Sequence, residues 1–287
     1  MSARSLITVL GYYPHTQALK DGSLTDPAVA FDFQEVSPVH KAFAPMVRSE
    51  AYDVCELAIV TALQALVYGR PVVLLPVVVA SRFQRGCMIF YRPRGIVRPE
   101  ELRGKRIGVR AYTQTTGMWV RSHLIDDYGL DIAGVDWLTR DGAHVEQYND
   151  PDFVRHDGSD KGLVDMLRDG DIDAAILGND LPKGDEFAPV IADADARDMA
   201  WWQKHRFMPI NHMVVASRSV CERDPEAVRA TYELLREAAG RSGANPDGDR
   251  SSRIEKSRSN APVGDRPTGR VCRLAARNVV STASVSP

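Results

Sequence analysis

Cysteine is scarce and unpatterned. Cys55, Cys87, Cys221 and Cys272 show no CxxC or similar spacing, which excludes a zinc ribbon and a disulfide framework. They read as small buried hydrophobes. Long apolar runs are also missing. The longest, Val72 to Ala80, contains Pro76 and suits a buried strand; a membrane span needs about 18 apolar residues. The N-terminus, MSARSLITVLGYYPH, carries one Arg and a short apolar run stopped by Gly11, too little for a secretory leader. The expectation is a cytoplasmic protein with no membrane partner. No GxGxxG, GxxxxGK[ST] or HExxH occurs, so no nucleotide or redox cofactor is expected. The seven histidines show neither HxH nor HxxxH spacing, the usual sign of a metal site. An excess of one charge sign is absent too: 36 Lys and Arg face 38 Asp and Glu, which excludes a generic nucleic-acid binder.

The chain has 287 residues, 44% hydrophobic and 26% charged, enough for two lobes with sizeable cores. Its near-neutral balance hides an asymmetry. From Gly240 onward nine basic residues face four acidic ones, and no Phe, Trp or Tyr occurs. The first 239 residues hold 27 basic and 34 acidic residues. Two kinds of sequence are joined near Gly240.

Before that point strand and helix patterns alternate, as in an α/β sheet layered by helices. Strands are expected at 5–11, 30–36, 52–58, 72–80 and 87–91, with helices opening at Ser37-Pro38 and at Thr61. Tyr12-Tyr13-Pro14-His15 reads as a polar turn. A second run begins with the strand Lys105–Arg110, the polar loop Ala111–Thr116 and a helix over 117–128. Further strands fall at 135–139, 172–177 and 208–216, and helices at 161–168, 194–204 and from Asp224-Pro225 to about Ala239. The polar stretch 140–159 reads as loop with a short strand near Val145. The organisation predicts lobe 1 over 1–104, lobe 2 over 105–208, a return to lobe 1 over 209–239, and a disordered tail over 240–287. Two crossing segments make a hinge, and the cleft between lobes is the expected place for a small ligand.

Leu102-Arg103-Gly104-Lys105-Arg106-Ile107-Gly108-Val109 and Leu167-Arg168-Asp169-Gly170-Asp171-Ile172-Asp173-Ala174 resemble segments of type-II periplasmic-binding-protein-like folds. More specific are Tyr52–Leu57 (YDVCEL), Gly108–Gly117 (GVRAYTQTTG), Gly178-Asn179-Asp180 and Pro209–Met213 (PINHM). Together they resemble the 4,5-dihydroxyphthalate decarboxylase family, an enzyme branch of that fold, over roughly residues 5–239. The resemblance implies loss of one carboxylate from an aromatic dicarboxylate, giving protocatechuate, without a cofactor. A catechol-like substrate can chelate a divalent ion, so a metal stays open, as does a homo-oligomer. The tail departs from the family pattern, in which further helix follows the return strand. A reading-frame change, a gene fusion or a genuine disordered basic tail each fits its composition.

Such a reaction needs donors for the spectator carboxylate, a base near the phenol and an acid over the ring carbon. Arg110 with Thr113, Gln114, Thr115 and Thr116 joins a strand end to a helix N-terminus, a ready carboxylate site. Arg82, after the apolar strand, is a second clamp candidate, though it reads somewhat more readily as a solvated Arg; Arg85 is a weaker version. His212, with Asn211 beside it, lies on the return strand and can serve as acid or base, although a lone His on an apolar strand is more often structural. His15 and Thr16 follow the first strand. Glu56 ends a mostly apolar strand and is the candidate phenol contact or base. Asp53, three residues earlier, faces the other way. Asn179 and Asp180 end a strand and could bond a hydroxyl. Trp201, Trp202, His205 and Phe207 read as core or lobe interface rather than a substrate stack. Two other functions fit a two-lobe cleft: a solute-binding protein delivering an aromatic acid or similar anion to an ABC transporter, and a ligand-sensing or biosynthetic relative.

Overall fold

The computed structural model describes residues 4–178 and 181–242. In chain order its strands are β1 (Arg4–Val9), β2 (Val29–Phe33), β3 (Val54–Ala58), β4 (Val72–Ser81), β5 (Met88–Tyr91), β6 (Arg106–Val109), β7 (Asp136–Thr139), β8 (Val154–His156), β9 (Ala174–Ile176), β10 (Phe187–Pro189) and β11 (Ile210–Ser217). Its α-helices are α1 (Pro14–Lys20), α2 (Phe43–Ser49), α3 (Ile59–Val67), α4 (Thr115–Tyr128), α5 (Leu163–Asp169), α6 (Ala194–His205), α7 (Arg218–Arg223) and α8 (Pro225–Ser242). The expectation for the tail beyond α8 lies outside the described residues.

The chain divides into two compact units. Among the described residues the first takes 4–82, 144–147 and 210–242; the second takes 83–143 and 148–209. The division therefore falls at Arg82/Phe83, not near Gly104. Residues 83–104 sit with the second unit because β5 pairs antiparallel with β9 and β10.

The first unit is built on a sheet of order β2-β1-β3-β11-β4. β1 runs parallel to β2 and β3, while the returning β11 runs antiparallel to β3 and β4. All five residues of β3 are buried, as its central place requires. Side chains alternate along it. Val54 joins one core with Leu19 of α1 and Leu234 of α8, and Cys55 and Leu57 join another with Phe43 and Met46 of α2. α8 starts where Asp224 Oδ1 accepts the Ala227 N–H at 3.2 Å, with Pro225 in its first turn. It buries Ala227, Val228, Thr231, Leu234, Leu235 and Ala238, a helical stripe.

Two local readings change. The supposed turn at Tyr12–His15 is the start of α1: Pro14 takes the first helical position, and the Tyr13 N–H donates to Thr16 Oγ1 at 3.0 Å. Around Val145 there is no strand. Val145 is instead 1% exposed within the first unit's α2-side core, and the strand of that polar stretch is β8.

The second unit is a sheet of order β10-β5-β9-β6-β7-β8, with β6 parallel to β7 and β9. α4 is buried throughout Thr115–Leu124 and closes on Gly129 in the left-handed region, φ 64°, where glycine carries no Cβ penalty. It begins two residues earlier than the sequence pattern suggested. Trp201 is 8% exposed and packs on His205 and Phe207, each 4.7 Å away by ring centroid, in line with a core reading. Cys55 and Cys87 are buried and Cys221 partly so, all as free thiols; Cys272 lies outside the described residues. Among the described residues no helix is long and apolar enough to cross a membrane.

Arg85, a weak clamp candidate, is structural in this fold. Its side chain is 2% exposed and pairs with Asp127 at 2.9 Å and Asp198 at 2.7 Å. Burial outweighs the guanidinium at Asp198 and pushes its carboxyl up to about 6. Removing one member of a buried ion group strands the others. Arg85→Ala should therefore cost about 3–5 kcal/mol, read as a fall in Tm and denaturant midpoint; an unchanged midpoint would count against this role.

Candidate functional site

Glu56 is the hub of the first unit's polar cluster. It lies at the centre of β3, is 0% exposed, and faces Val214 across the β3–β11 pair. His212 stands opposite Ala58, so it lies on the same face, diagonal to Glu56. Its Nδ1–H donates to Glu56 Oε1 at 2.7 Å. The Tyr13 hydroxyl donates to the same oxygen at 2.9 Å, and the Gly11 N–H donates to Oε2. Both carboxylate oxygens are thus engaged by donors. Burial pushes the Glu56 carboxyl up, but His212, Gly11 and Tyr13 together outweigh it and hold the group below its ordinary value. The same carboxylate, together with burial, drives the Tyr13 phenol far above its ordinary value. Position 11 tolerates nothing larger than glycine. A Cβ there would lie 2.7 Å from the Tyr13 ring and 2.8 Å from Glu56 Oε2.

β11 is irregular at this point. Ile210 pairs with Ser81 and His212 with Ala80, so Asn211 is the extra residue of a bulge against β4. Bulges re-aim neighbouring side chains. Asn211 is buried, while the His212 side chain keeps 22% exposure. With Nδ1 committed to Glu56, Nε2 is the nitrogen presented outward. The ring packs edge-on to Phe43 with centroids 5.1 Å apart.

His15 stacks on Tyr13 at 5.3 Å and 4°. Its Nε2 contacts the Val79 carbonyl at 3.0 Å, while Nδ1 is buried without a partner. Burial lowers its pKa, so the ring is neutral near pH 7, donating through Nε2. Thr16 Oγ1 donates to the Gly11 carbonyl at 2.9 Å, a role in shaping the loop into α1. Asp53 accepts the Ile7 N–H at 3.0 Å and Arg223 at 2.8 Å, well separated in role from Glu56. Arg82 is half-buried at the last position of this unit. His144, on the segment that rejoins this unit, places Nδ1 2.8 Å from Thr61 Oγ1 and stands edge-on to Phe43, 5.7 Å by centroid.

The second unit carries the anion-site candidates. Arg110 follows β6; its guanidinium is 34% exposed and lies 3.5 Å from the exposed Asp141. Thr113, Thr115 and Thr116 are buried, and Gln114 is the N-cap of α4, with no side chain capping the helix. The first N–H groups of α4 have no partner within the helix, and its dipole adds partial positive charge. Thr115 Oγ1 and Gln114 Oε1 are buried without hydrogen-bond partners. Asn179 and Asp180 lie outside the described residues. A hollow of about 470 Å³ lined by Ile89, Leu181, Phe187 and Pro189 shares no residue with either cluster.

Sequence reasoning did not single out Gly11, Tyr13, Thr61, His144 or Arg121. Tyr13 falls in the supposed turn that is the start of α1, and Gly11 at the end of the expected strand 5–11. The Pro at position 14 followed by Thr16 was the signal available.

No protein-family model matches the chain. A 4,5-dihydroxyphthalate decarboxylase of Comamonas testosteroni is 26% identical over 238 residues, covering 78% of this chain and 72% of the relative. Another of the same name, from Pseudomonas putida, is 29% identical over 186 residues, covering 61% of this chain and 71% of the relative. These bear out the resemblance read from the motifs. Among solved structures, the periplasmic aliphatic sulphonate binding protein of Escherichia coli aligns with a TM-score of 0.54 at 12% identity, covering 97% of this chain and 75% of that one. The alkanesulfonate-binding protein of Xanthomonas axonopodis gives 0.51 at 14%, covering 96% and 84%. A Candida albicans protein with the generic periplasmic binding protein fold gives 0.56 at 12%, covering 100% and 92%. The fold is therefore the two-lobe α/β fold of periplasmic-binding-protein-like proteins.

Proposed function

We propose that this chain is a carboxy-lyase that removes one carboxylate from an aromatic dicarboxylate, 4,5-dihydroxyphthalate, to give protocatechuate. The observation that carries it is the Glu56–His212 pair at 2.7 Å, in a chain similar to two decarboxylases of that name.

The chemistry asks for what the two clusters offer. Direct loss of carbon dioxide would leave an aryl carbanion. Protonating the carboxylate-bearing carbon first avoids it. The substrate hydroxyl para to that carbon loses its proton to a base and pushes an electron pair into the ring. The ring carbon takes a proton from an acid. The bond to the carboxylate then breaks, carbon dioxide leaves, its electron pair restores the aromatic ring as a phenolate, and the phenolate takes its proton back from the base. One proton is consumed and no oxidant is needed.

His212 is the proton-transfer group in this reading, working through Nε2. Glu56 is a positioning residue: fully buried and engaged at both oxygens, it fixes the imidazole's tautomer and orientation. The initial assignment of Glu56 as a phenol contact is replaced by this role. His15, neutral with an unpartnered Nδ1, is the candidate acceptor of the phenol proton. Arg110 and the first turn of α4, with Thr113 to Thr116, hold the carboxylate that stays; Asn211 and Arg82 stand as further substrate contacts. The partner is thus a small aromatic carboxylate.

Purified protein given 4,5-dihydroxyphthalate should release carbon dioxide and form protocatechuate. Tight binding without turnover would instead favour a solute-binding protein, which the fold alone also accommodates. Arg110→Ala should raise KM about ten-fold or more with kcat little changed, because a charge-assisted hydrogen bond to a carboxylate acts on ground and transition state alike. An unchanged KM would remove Arg110 from the site.

A further inference from the structure

Arg121 lies in the second turn of α4 and is 6% exposed. Its Nη2 donates to the Tyr112 carbonyl at 2.7 Å, and the guanidinium lies 3.9 Å from the Tyr112 ring centroid and 5.4 Å from that of Trp137. Its Nη1 has no hydrogen-bond partner. Among the described residues no carboxylate forms an ion pair with it. Tyr112, Tyr148 and Asp150 favour its charge electrostatically, and Asp150, whose Oδ1 is buried without a hydrogen-bond partner, stands near it without forming an ion pair among the described residues.

Nη1 is directed at the helix start. A Cβ placed on Gly117 would lie 3.1 Å from it, so glycine lets the guanidinium lie against the first turn. Thr115 Oγ1, 4% exposed and also unpartnered, belongs to that turn. The fold thus puts a buried cation under the positive end of a helix dipole and leaves donors on both unmet. For stability alone this arrangement is adverse: an unpaired buried charge is costly, and the helix end adds repulsion. It becomes favourable once an anion is present.

We propose that Arg121 is the specificity-determining charge of an anion site at the first turn of α4, with a substrate carboxylate as its counter-ion. This rests on reading the Arg110–Thr116 segment as carboxylate-binding. Arg121 adds its field to that of the helix end, where low polarity strengthens it. By holding the Tyr112 carbonyl it also fixes the loop that leads into the turn. Thr115 Oγ1 is the second donor.

The test uses phthalate, a dianion without hydroxyl groups, and catechol, which has hydroxyls but no carboxylate. Arg121→Gln keeps a donor for the Tyr112 carbonyl and removes the charge; Arg121→Met fills the space without either. Calorimetric titration should show phthalate affinity about ten-fold or more weaker in Arg121→Gln, catechol affinity unchanged, and Tm equal to or above that of the parent in at least one of the two variants. Phthalate affinity within two-fold of the parent, a joint fall of Tm and both affinities in both variants, or a parent that binds no phthalate would overturn the proposal. Arg121-dependent phthalate binding in a parent that releases no carbon dioxide from 4,5-dihydroxyphthalate would leave this site standing and remove the decarboxylase reading.

Discussion

His212→Gln should lower kcat by about 10²–10⁴-fold, the usual contribution of a positioned general acid or base. KM for 4,5-dihydroxyphthalate should stay near the parent value, since the substitution removes proton transfer and not a carboxylate contact. The geometry makes the variant a clean probe. The His212 side chain is 22% exposed and meets the core chiefly through an edge-on contact with Phe43 at 5.1 Å. A glutamine amide can still donate to Glu56 Oε1, so the buried carboxylate keeps a partner and the Tm should change little. The measurement is steady-state carbon dioxide release beside a melting curve. Equal losses of activity and stability would make His212 a core histidine and move proton transfer elsewhere.

Much of this site was legible as separate pieces. β3 and β11 were both expected as apolar strands, and Glu56, His212 and Asn211 were each singled out on them. Their contact was not legible, because Glu56 and His212 are 156 residues apart. It exists only through the antiparallel return of β11 beside β3, which puts His212 diagonal to Glu56. Nor could residue type show the bulge at Asn211, which depends on register against β4.

Charge is the property that sequence position shows least. Burial alone would raise the pKa of Glu56; three donors, from Gly11, Tyr13 and His212, reverse the sign. Arg85, a weak clamp candidate, is held by Asp127 and Asp198. Nothing in the sequence pattern marks Arg121, which lies within helix α4. The first ten residues of α4 are all buried, so the helix has no polar face on which an arginine could be solvated. Sequence periodicity assumes such a face exists.

Glu56→Gln tests whether the hub works as an anion. Three donors converge on the Glu56 carboxylate: the Gly11 N–H, the Tyr13 hydroxyl and His212 Nδ1–H. A glutamine offers one oxygen and one NH₂, so at least one donor then faces another donor inside a buried site. The imidazole loses the partner that fixes its tautomer, and kcat should fall about 10²-fold or more, as when a carboxylate orienting a functional histidine is removed. Stability should fall too, with a pH signature. The folded state holds the Glu56 carboxyl below its ordinary value, near about 4.3 in an unfolded chain. The folded state therefore binds fewer protons in that window, and Glu56 contributes stability that is fully present above the unfolded value. That contribution is lost as pH falls through the folded value. Glu56→Gln lacks this titration. Its Tm should lie below the parent's at neutral pH, and the gap should narrow as pH falls below about 4.3. A gap that stays constant down to the acid limit would mean that the site holds a neutral carboxylic acid, which has a proton of its own to donate and would leave His212 without the carboxylate partner assigned to it.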